Sequence, residues 1–221
     1  MIKGKLYDLS QLIFSDKEEY KFNIKTFMVD EFFPQYQRPP GQWYAITEVN
    51  FWSHVGTHLE APLHYIENGM DVAEIPIDQL IGEAIILDFT GKKVGEPISL
   101  EDIKNSGKIR KGDMVILKTG CDKFYRTPRA HDRPYLSSDA TRWLAHDRKI
   151  KVLGTDASGF EVPGIADQPN HRILFEKGIP VIEHLTNLSK LPKDRVTLFV
   201  LPFKARGLDS CPVRVVALVD E

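Results

Sequence analysis

The sequence predicts a single α/β domain in which helices flank a mixed β-sheet. Two observations favour this class. Short apolar runs rich in β-branched residues alternate with amphipathic segments of helical length through most of the chain, a pattern typical of α/β domains. The N-terminal part has strand-like segments without helices between them, so the sheet should be mixed. A chain of 221 residues can bury one substantial core, and we expect residues 1–221 to form one domain.

Each predicted element has a local signal. Strands are expected where aliphatic and aromatic β-formers cluster, at 43–52, 84–89, 114–118, 151–155, 181–182, 196–201 and 213–219. Helices are expected at 99–105, capped by Ser99, at 139–148, capped by Ser137 or Ser138, and at 169–177, before Gly178. Residues 34–42 contain three prolines and a glycine and should be irregular, either as a wall or lid of a pocket or as a surface loop.

Composition and charge narrow the classes of partner and compartment. The 29 basic and 31 acidic residues give a net charge of −2, which favours neither nucleic acid nor an anionic membrane as a partner. No apolar run is long enough to span a membrane, and the first residues lack the apolar segment of a secretory signal. Cys121 and Cys211 are predicted to be buried free thiols, which suits a reducing compartment. We therefore expect a soluble, cytoplasmic protein.

Residues 54–64 carry the densest set of chemically reactive side chains. His54, His58, Glu60 and His64 are separated by even intervals, so an extended chain points all four to one face, whereas a helix would scatter them. A straight strand would hold the two outer histidines roughly 33 Å apart, so the chain must bend, and a glycine and a proline inside the segment supply bending points. Imidazole and carboxylate groups hold zinc, manganese or iron. The spacing therefore predicts a metal site on a kinked, extended ribbon.

Two residues further along the chain are candidates to complete the site. His171 falls in the last predicted helix, and Glu183 follows the short strand after that helix. The helix and strand form a turn-back unit, so both side chains could face one cleft. Spacing alone leaves a structural histidine and a surface glutamate open as alternatives. Thr57 and Asp156 are open in the same way, either as supports of metal ligands or as a turn hydroxyl and a strand-end cap.

The segment 54–64, HVGTHLEAPLH, resembles the H-x-G-T-H-x-D-x-P-x-H signature of the cyclase family. That family includes bacterial kynurenine formamidases, isatin hydrolases and other metal-dependent hydrolases. Later blocks of the chain are also similar to the family: GTDAS at 154–158, His171, EHLTNL at 183–188, LPFK at 201–204 and CPVR at 211–214. The similarity runs over nearly the whole chain and is weakest through residues 14–42.

The resemblance implies a role for each matching residue. His54 and His58 match ligands of one metal ion, and His171 matches a ligand of a second ion. Glu183 matches a carboxylate that touches the metal centre. His64 matches the catalytic histidine, which exchanges protons instead of binding metal. The family fold is a mixed α/β sheet domain that assembles as a homodimer or homotetramer.

Glu60 departs from the family pattern, which has aspartate at this position. The extra methylene adds about 1.5 Å of reach. It could preserve a bridge between two ions with a shifted backbone, or leave one ion or a different metal preference. The resemblance therefore implies one or two divalent ions per subunit, with zinc favoured and manganese as the alternative.

Together these residues predict a metal-dependent, arylformamidase-like hydrolase that cleaves a C–N bond of a small amide, formamide or cyclic amide. A divalent cation lowers the pKa of water to around 7, and an imidazole at the position of His64 can take up the proton and pass it to the leaving nitrogen. Two alternatives remain: a metal-binding family member without hydrolase activity, and a cyclase or lactonase acting on a non-amide substrate. A classical zinc protease is excluded, because Val55 stands where it requires glutamate.

Overall fold

The computed structural model describes residues 3–220; residues 1, 2 and 221 of the predicted domain lie outside the described residues. Between 3 and 220 there are thirteen strands and four α-helices. The strands are Lys5–Asp8 (β1), Phe22–Met28 (β2), Ala45–Phe51 (β3), His58–Glu60 (β4), Ile81–Asp88 (β5), Pro97–Ile98 (β6), Met114–Lys118 (β7), Tyr135–Leu136 (β8), Val152–Thr155 (β9), Val181–Glu183 (β10), Arg195–Leu201 (β11), Ser210–Pro212 (β12) and Arg214–Val219 (β13). The helices are Val29–Phe32 (α1), Leu100–Ser106 (α2), Ser138–Arg142 (α3) and Pro169–Phe175 (α4). None of the helices in this part of the chain has the length and apolar character needed to cross a bilayer.

One nine-stranded sheet organises the molecule, in the order β1-β13-β11-β5-β7-β9-β10-β4-β12. Strands β5, β7, β9 and β10 run parallel, because α2, α3 and α4 return the chain between them. The strands on either side of this parallel centre pair antiparallel. The predicted α/β class with a mixed sheet is confirmed.

The helices and the curl of the sheet enclose two apolar clusters. Ile103, Ala140 and Leu174, one from each of α2, α3 and α4, belong to the same buried cluster on one face of the sheet. Leu59 of β4 and Val215 of β13 come from opposite halves of the sheet and share the second cluster, so the sheet curls around it. The helices therefore cover the apolar cluster on one face of the sheet, and the curl of the sheet encloses the apolar cluster on the other face. The buried free thiols predicted at 121 and 211 are confirmed.

The predicted elements agree with the structure except in two places: a helix changes its winding, and the short helix α1 lies between β2 and β3, where no helix was expected. The predicted strand at 114–118 coincides with β7, and Ser99 caps α2 in a capping box with Asp102. The helix predicted over 139–148 is instead α3 followed by a π-helical turn, Trp143–Arg148. Ser137 precedes α3 without a side-chain capping bond. Amphipathic periodicity does not distinguish these two kinds of helical winding over so short a segment.

A two-stranded ribbon made of β2 and β3 pairs with itself and not with the nine-stranded sheet. Its connecting segment contains α1 and residues 34–42. Several large apolar side chains on this ribbon are exposed, among them the cross-strand pair Ile24 and Val49, and Trp43 reaches 76% exposure. A surface of this kind is typical of a contact between molecules.

Gly154 allows β9 to pack closely against its neighbours. A Cβ at this position would lie 2.6 Å from Ile116 Cδ1 and 3.3 Å from Leu185 Cδ1, both in the buried core. Because β9 also pairs with β10, this close approach sets the position of the strand that carries Glu183.

We expect Gly154→Ala to lower the free energy of unfolding by about 1–3 kcal/mol, because the added methyl group overpacks a filled core. Chemical denaturation measures the change. Gly82→Ala in β5 is the matched control, since its Cβ would meet only Lys151 Nζ at 3.9 Å and Met114 Cε at 4.0 Å, and should change stability by less than about 0.5 kcal/mol. Equal effects of the two substitutions would contradict the close packing of β9.

Candidate metal centre

Strand β4 brings together residues that are far apart in the sequence. It lies between β10 and β12, and its antiparallel register with β10 places His58 opposite Glu183 and Glu60 opposite Val181. His58 and Glu60 share one face, as their two-residue spacing predicts.

The predicted extended ribbon is correct only over β4 itself. The chain turns before it at Gly56, which has a φ of +69°, and Pro62–His64 forms a 3₁₀ turn. The bends predicted at the glycine and the proline are therefore present, and His64 lies in a turn instead of on extended backbone. The proline fits the first position of the turn and starts it there.

Thr57 fixes the turn that precedes β4. Its hydroxyl donates to the carbonyl oxygen of His184 at 2.6 Å and accepts from the backbone N–H of Gln11 at 2.9 Å. Its own carbonyl accepts from Val213 N–H at 2.9 Å. The structure thus gives Thr57 a positioning contact with the strand end that follows Glu183.

The Glu60 carboxylate lies at the centre of four imidazoles. Its Oε1 atom is 3.3 Å from Nε2 of His54, 3.4 Å from Nε2 of His58 and 3.9 Å from Nε2 of His64. Its Oε2 atom is 3.3 Å from Nε2 of His171. The two oxygens of one carboxylate therefore face two separate sets of nitrogen atoms.

Glu183 adds a second carboxylate between the same imidazoles. Its Oε2 atom is 3.8 Å from His58 Nε2, and its Oε1 atom is 3.7 Å from His171 Nε2. The structure thus brings together all five residues predicted to bind metal, with the sixth predicted residue, His64, beside them.

Each imidazole is held through its outer nitrogen. The Nδ1–H groups of His58, His64 and His171 donate to Gly56 O at 2.8 Å, to a carboxylate oxygen of Asp209 at 3.0 Å and to a carboxylate oxygen of Glu161 at 3.0 Å, respectively. The Nδ1–H of His54 donates to the hydroxyl of Ser53 at 3.1 Å, since that hydroxyl in turn donates to Asp209. For the neutral rings, these partners assign the same tautomer to all four histidines, in which the lone pair of every Nε2 is directed inward.

This donor set fits a divalent cation. Nε2 of His54, Nε2 of His58 and Oε2 of Glu60 are buried without a hydrogen-bond partner among the described residues, which is costly unless something else binds them. Two ligand atoms about 2.1 Å from one ion at a tetrahedral angle lie about 3.4 Å apart, close to the separations around Glu60. The ligand atoms of His58, Glu60 and Glu183 fall within 4.8 Å of one another, and so do those of His54, Glu60 and His64.

The buried carboxylates and imidazoles of the site shift one another's pKa values. Burial disfavours ionisation of Glu60, yet the imidazoles of His171, His54 and His58 hold its pKa well below the usual range. Burial likewise disfavours charge on His171, but the nearby carboxylates of Glu161, Glu183 and Glu60 raise its pKa well above the usual value. The same carboxylates favour a bound cation.

Glu161 was missed by the sequence analysis, although it holds His171 from two sides. It is 2% exposed, and its Oε1 atom accepts from both the backbone N–H of His171, at 2.9 Å, and the ring Nδ1–H. The ring is also stacked between Tyr65 and Phe160, with centroids 5.0 Å and 4.6 Å away. One carboxylate therefore caps the start of α4 and orients the imidazole.

Asp209 is the second residue that the sequence analysis missed. It accepts from His64 Nδ1–H and from the Ser53 hydroxyl at 2.9 Å, and the hydrogen bond from His64 lowers its pKa to about 2. Asp209 stays ionised and holds the His64 ring with its Nε2 atom toward Glu60. Nothing in the local sequence marks Asp209, because it immediately precedes a strand that reaches the site only through its pairing with β4.

Asp156 lies away from the imidazoles of the site and has a structural role. Burial raises its pKa to about 6, although its carboxylate accepts from the backbone N–H groups of Thr119 and Gly120, each at 2.8 Å, and from the Thr119 hydroxyl. It ties the end of β9 to the turn after β7. The strand-end cap, one of the two roles left open by the sequence, is the one this geometry supports.

The cluster lines a cavity of about 370 Å³. Besides the metal-binding candidates, its walls include Tyr20, Tyr65, His131, Arg133, Ser158, Gly159, Gln168 and His184. None of residues 34–42 lines this cavity. The prediction that this segment forms a wall of the site pocket is therefore not supported.

Comparison with known proteins identifies the family. The family model described as Putative cyclase matches residues 7–162, more than half of the chain, so the chain belongs to this family. A kynurenine formamidase of Erythrobacter litoralis is 27% identical over 206 residues, which cover 90% of this chain and 87% of that protein. A solved structure of a potential metal-dependent hydrolase with cyclase activity is 29% identical, with a TM-score of 0.78 and 98% of both chains covered.

An isatin hydrolase bound to the product analogue thioisatinate has the same fold. Its TM-score is 0.85, with 99% of this chain and 94% of that chain covered, at 20% identity. The match of the family model confirms the resemblance predicted from residues 54–64.

We expect Glu161→Gln to weaken metal binding about ten- to a hundredfold, because a neutral amide orients the His171 ring less firmly than a carboxylate does. Competition with a chelator of known affinity measures the change. Glu176→Gln, at the exposed end of α4, is the control and should bind metal as the wild type does. Unchanged affinity in Glu161→Gln would remove Glu161 from the support of the site.

Proposed function

We propose that this protein is a metal-dependent hydrolase that cleaves a non-peptide C–N bond in a small amide, a formamide or a cyclic amide. The observation that carries the proposal is the buried Glu60 carboxylate surrounded by four imidazoles whose Nε2 atoms all point inward. The kynurenine formamidase and metal-dependent hydrolase relatives support the same class of reaction.

The residues that would hold metal divide into two groups. His54 and His58 face Oε1 of Glu60, whereas His171 faces Oε2, and Glu183 spans the two groups. This division favours two ions over a single ion, and Glu60 and Glu183 would be available as ligands to both. We favour zinc, with manganese as the alternative, because imidazole and carboxylate ligands suit both. The glutamate side chain at position 60 is long enough to direct one oxygen toward each of the two groups of imidazoles.

When bound, a divalent cation would polarise the substrate carbonyl and lower the pKa of water to around 7. His64 would accept the proton from the attacking water at Nε2 and donate it to the leaving nitrogen. Asp209 would keep the ring in the tautomer and orientation that this transfer needs, through the hydrogen bond at Nδ1. The proximity of His64 Nε2 to Glu60, at 3.9 Å, supports this role, because a proton carrier must lie close to the residues that would hold the metal.

Metal removal and two substitutions test the proposal together. Protein stripped of metal should lose hydrolysis of an aryl formamide, a lactam or an imide and regain it with zinc or manganese. His58→Ala should lose bound metal. His64→Ala should keep its metal while turnover falls by about 10²- to 10⁴-fold, because only the proton transfer is removed. Elemental analysis and initial rates measure both effects.

His146→Ala, at an exposed position, is the matched control and should keep both metal and activity. Loss of metal from His64→Ala would make His64 a ligand instead of a proton carrier. Equal rates with and without metal would overturn the mechanism. Bound metal without hydrolysis of any of the three substrates would favour a metal-binding protein or a cyclase or lactonase of the same family.

We also propose that the chain forms a homodimer or homotetramer in the cytoplasm. The apolar side chains exposed on the β2–β3 ribbon support self-association, and the two buried free cysteines suit a reducing compartment.

Light scattering after gel filtration should therefore give at least twice the mass of one chain. Changing both Ile24 and Val49 to lysine should lower that mass, because the charges would disrupt an apolar contact. Val94→Lys, at an exposed site outside the ribbon, is the control. A monomeric wild-type protein would contradict the proposal.

A further inference from the structure

Arg133 stands out among the residues that line the cavity. It is the only arginine or lysine among them, yet it is just 8% exposed. The surrounding ionisable groups are carboxylates and imidazoles. A buried cation in such a place costs desolvation energy and needs a partner.

The guanidinium of Arg133 has hydrogen bonds on one side only. Its Nη1 group donates to the carbonyl oxygen of His131 at 3.2 Å and to the Ser158 hydroxyl at 3.0 Å. Its Nε–H is buried without a partner among the described residues. No carboxylate of these residues lies within 4.0 Å of it as an ion pair. The edge formed by Nε and Nη2 is therefore free of charged partners.

Gly159 lies beside that edge, and because it has no side chain it leaves the edge uncovered. A Cβ at this position would lie 3.5 Å from both Nε and Nη2 of Arg133 and 3.0 Å from Oε1 of Glu183. The guanidinium edge and a carboxylate of the metal cluster thus lie close to the same glycine in the wall of the cavity. Any side chain at 159 would narrow it, and the φ of +121° also favours glycine there.

We propose that Arg133 binds a carboxylate group of the substrate through Nε and Nη2. This inference rests on the proposed function, because it assigns a substrate class to the same cavity. Two parallel N–H groups match the two oxygens of a carboxylate. A monoanion suits a cavity that already contains several carboxylates better than a dianionic phosphate does. Since the free edge adjoins Glu183, the substrate is a small amide whose carboxylate lies within a few bonds of the scissile C–N bond.

Two matched formamides test the role of Arg133. Formanilide and 2-formamidobenzoate share the ring and the scissile bond, and only the second has a carboxylate. We expect wild-type protein to favour 2-formamidobenzoate in kcat/KM. Arg133→Gln should lower kcat/KM for that substrate about ten- to a hundredfold, mainly through KM, and change that for formanilide less than about threefold. Arg133→Lys should retain part of the preference, because it keeps the charge but not the paired N–H groups.

A binding measurement separates this inference from the proposed hydrolysis. Calorimetry should show that Arg133→Gln weakens binding of 2-aminobenzoate about tenfold or more while leaving 2-aminobenzamide unchanged. Arg129→Gln, an exposed arginine paired with Asp132, is the control and should match the wild type. If wild-type protein hydrolyses neither formamide, the lactam and the imide still test the proposed function, and calorimetry decides the role of Arg133 independently of hydrolysis.

Equal losses for both members of either pair would overturn the inference and make Arg133 a structural residue. Melting temperatures and metal content show whether each variant is folded and loaded. If Arg133→Gln does not fold, the Arg133→Lys variant decides whether Arg133 recognises the carboxylate. An unchanged preference for 2-formamidobenzoate in that variant would contradict recognition by the paired N–H groups.

Discussion

The antiparallel pairing of β4 with β10 is the constraint on which the candidate site depends. It sets His58 against Glu183 across two neighbouring strands and keeps both beside Glu60. The strand is three residues long, so a shift of register by one position would turn Glu60 toward the opposite face of the sheet. Pairing with β12 on the other side holds this register, as does the anchoring of Thr57 to His184.

The buried charges are tolerated because each imidazole is oriented from outside. A backbone carbonyl, a serine hydroxyl and two carboxylates take the four Nδ1–H groups, and the Nε2 atoms are left for the interior of the site. Burial of Glu60 would be unfavourable without positive charge around it. The outer hydrogen bonds therefore determine the chemistry at the centre, since a ring free to rotate would present its nitrogen atoms in no fixed direction.

The sequence was informative where structure follows from local patterns. The alternation of strands and helices predicted an α/β domain with a mixed sheet, and two-residue spacing predicted the shared face of His58 and Glu60, because both patterns follow from backbone geometry. His64 reaches the site through a 3₁₀ turn, which no alternation predicts. Glu161 and Asp209 contact imidazoles through tertiary structure, and no motif in the sequence marks either one. The resemblance of the later blocks to the family predicted His171 and Glu183 as members of the site, which spacing alone left open.

Several contacts around β4 join residues that are far apart in the sequence, and this separation affects how the chain folds. Thr57 bonds to His184 across 127 positions, and His64 bonds to Asp209 across 145. Closing such long loops costs conformational entropy before the contacts between their ends can offset it. Proteins dominated by distant pairings therefore fold slowly. The parallel centre, whose strands are joined by single helical connections, can form earlier. During synthesis, a chain still lacking its last two strands cannot pair β4 with β12 or place Asp209 beside His64. The ligands and the side chains that orient them thus come together only late in folding. Before that, the incomplete chain has no assembled site that could bind a metal ion.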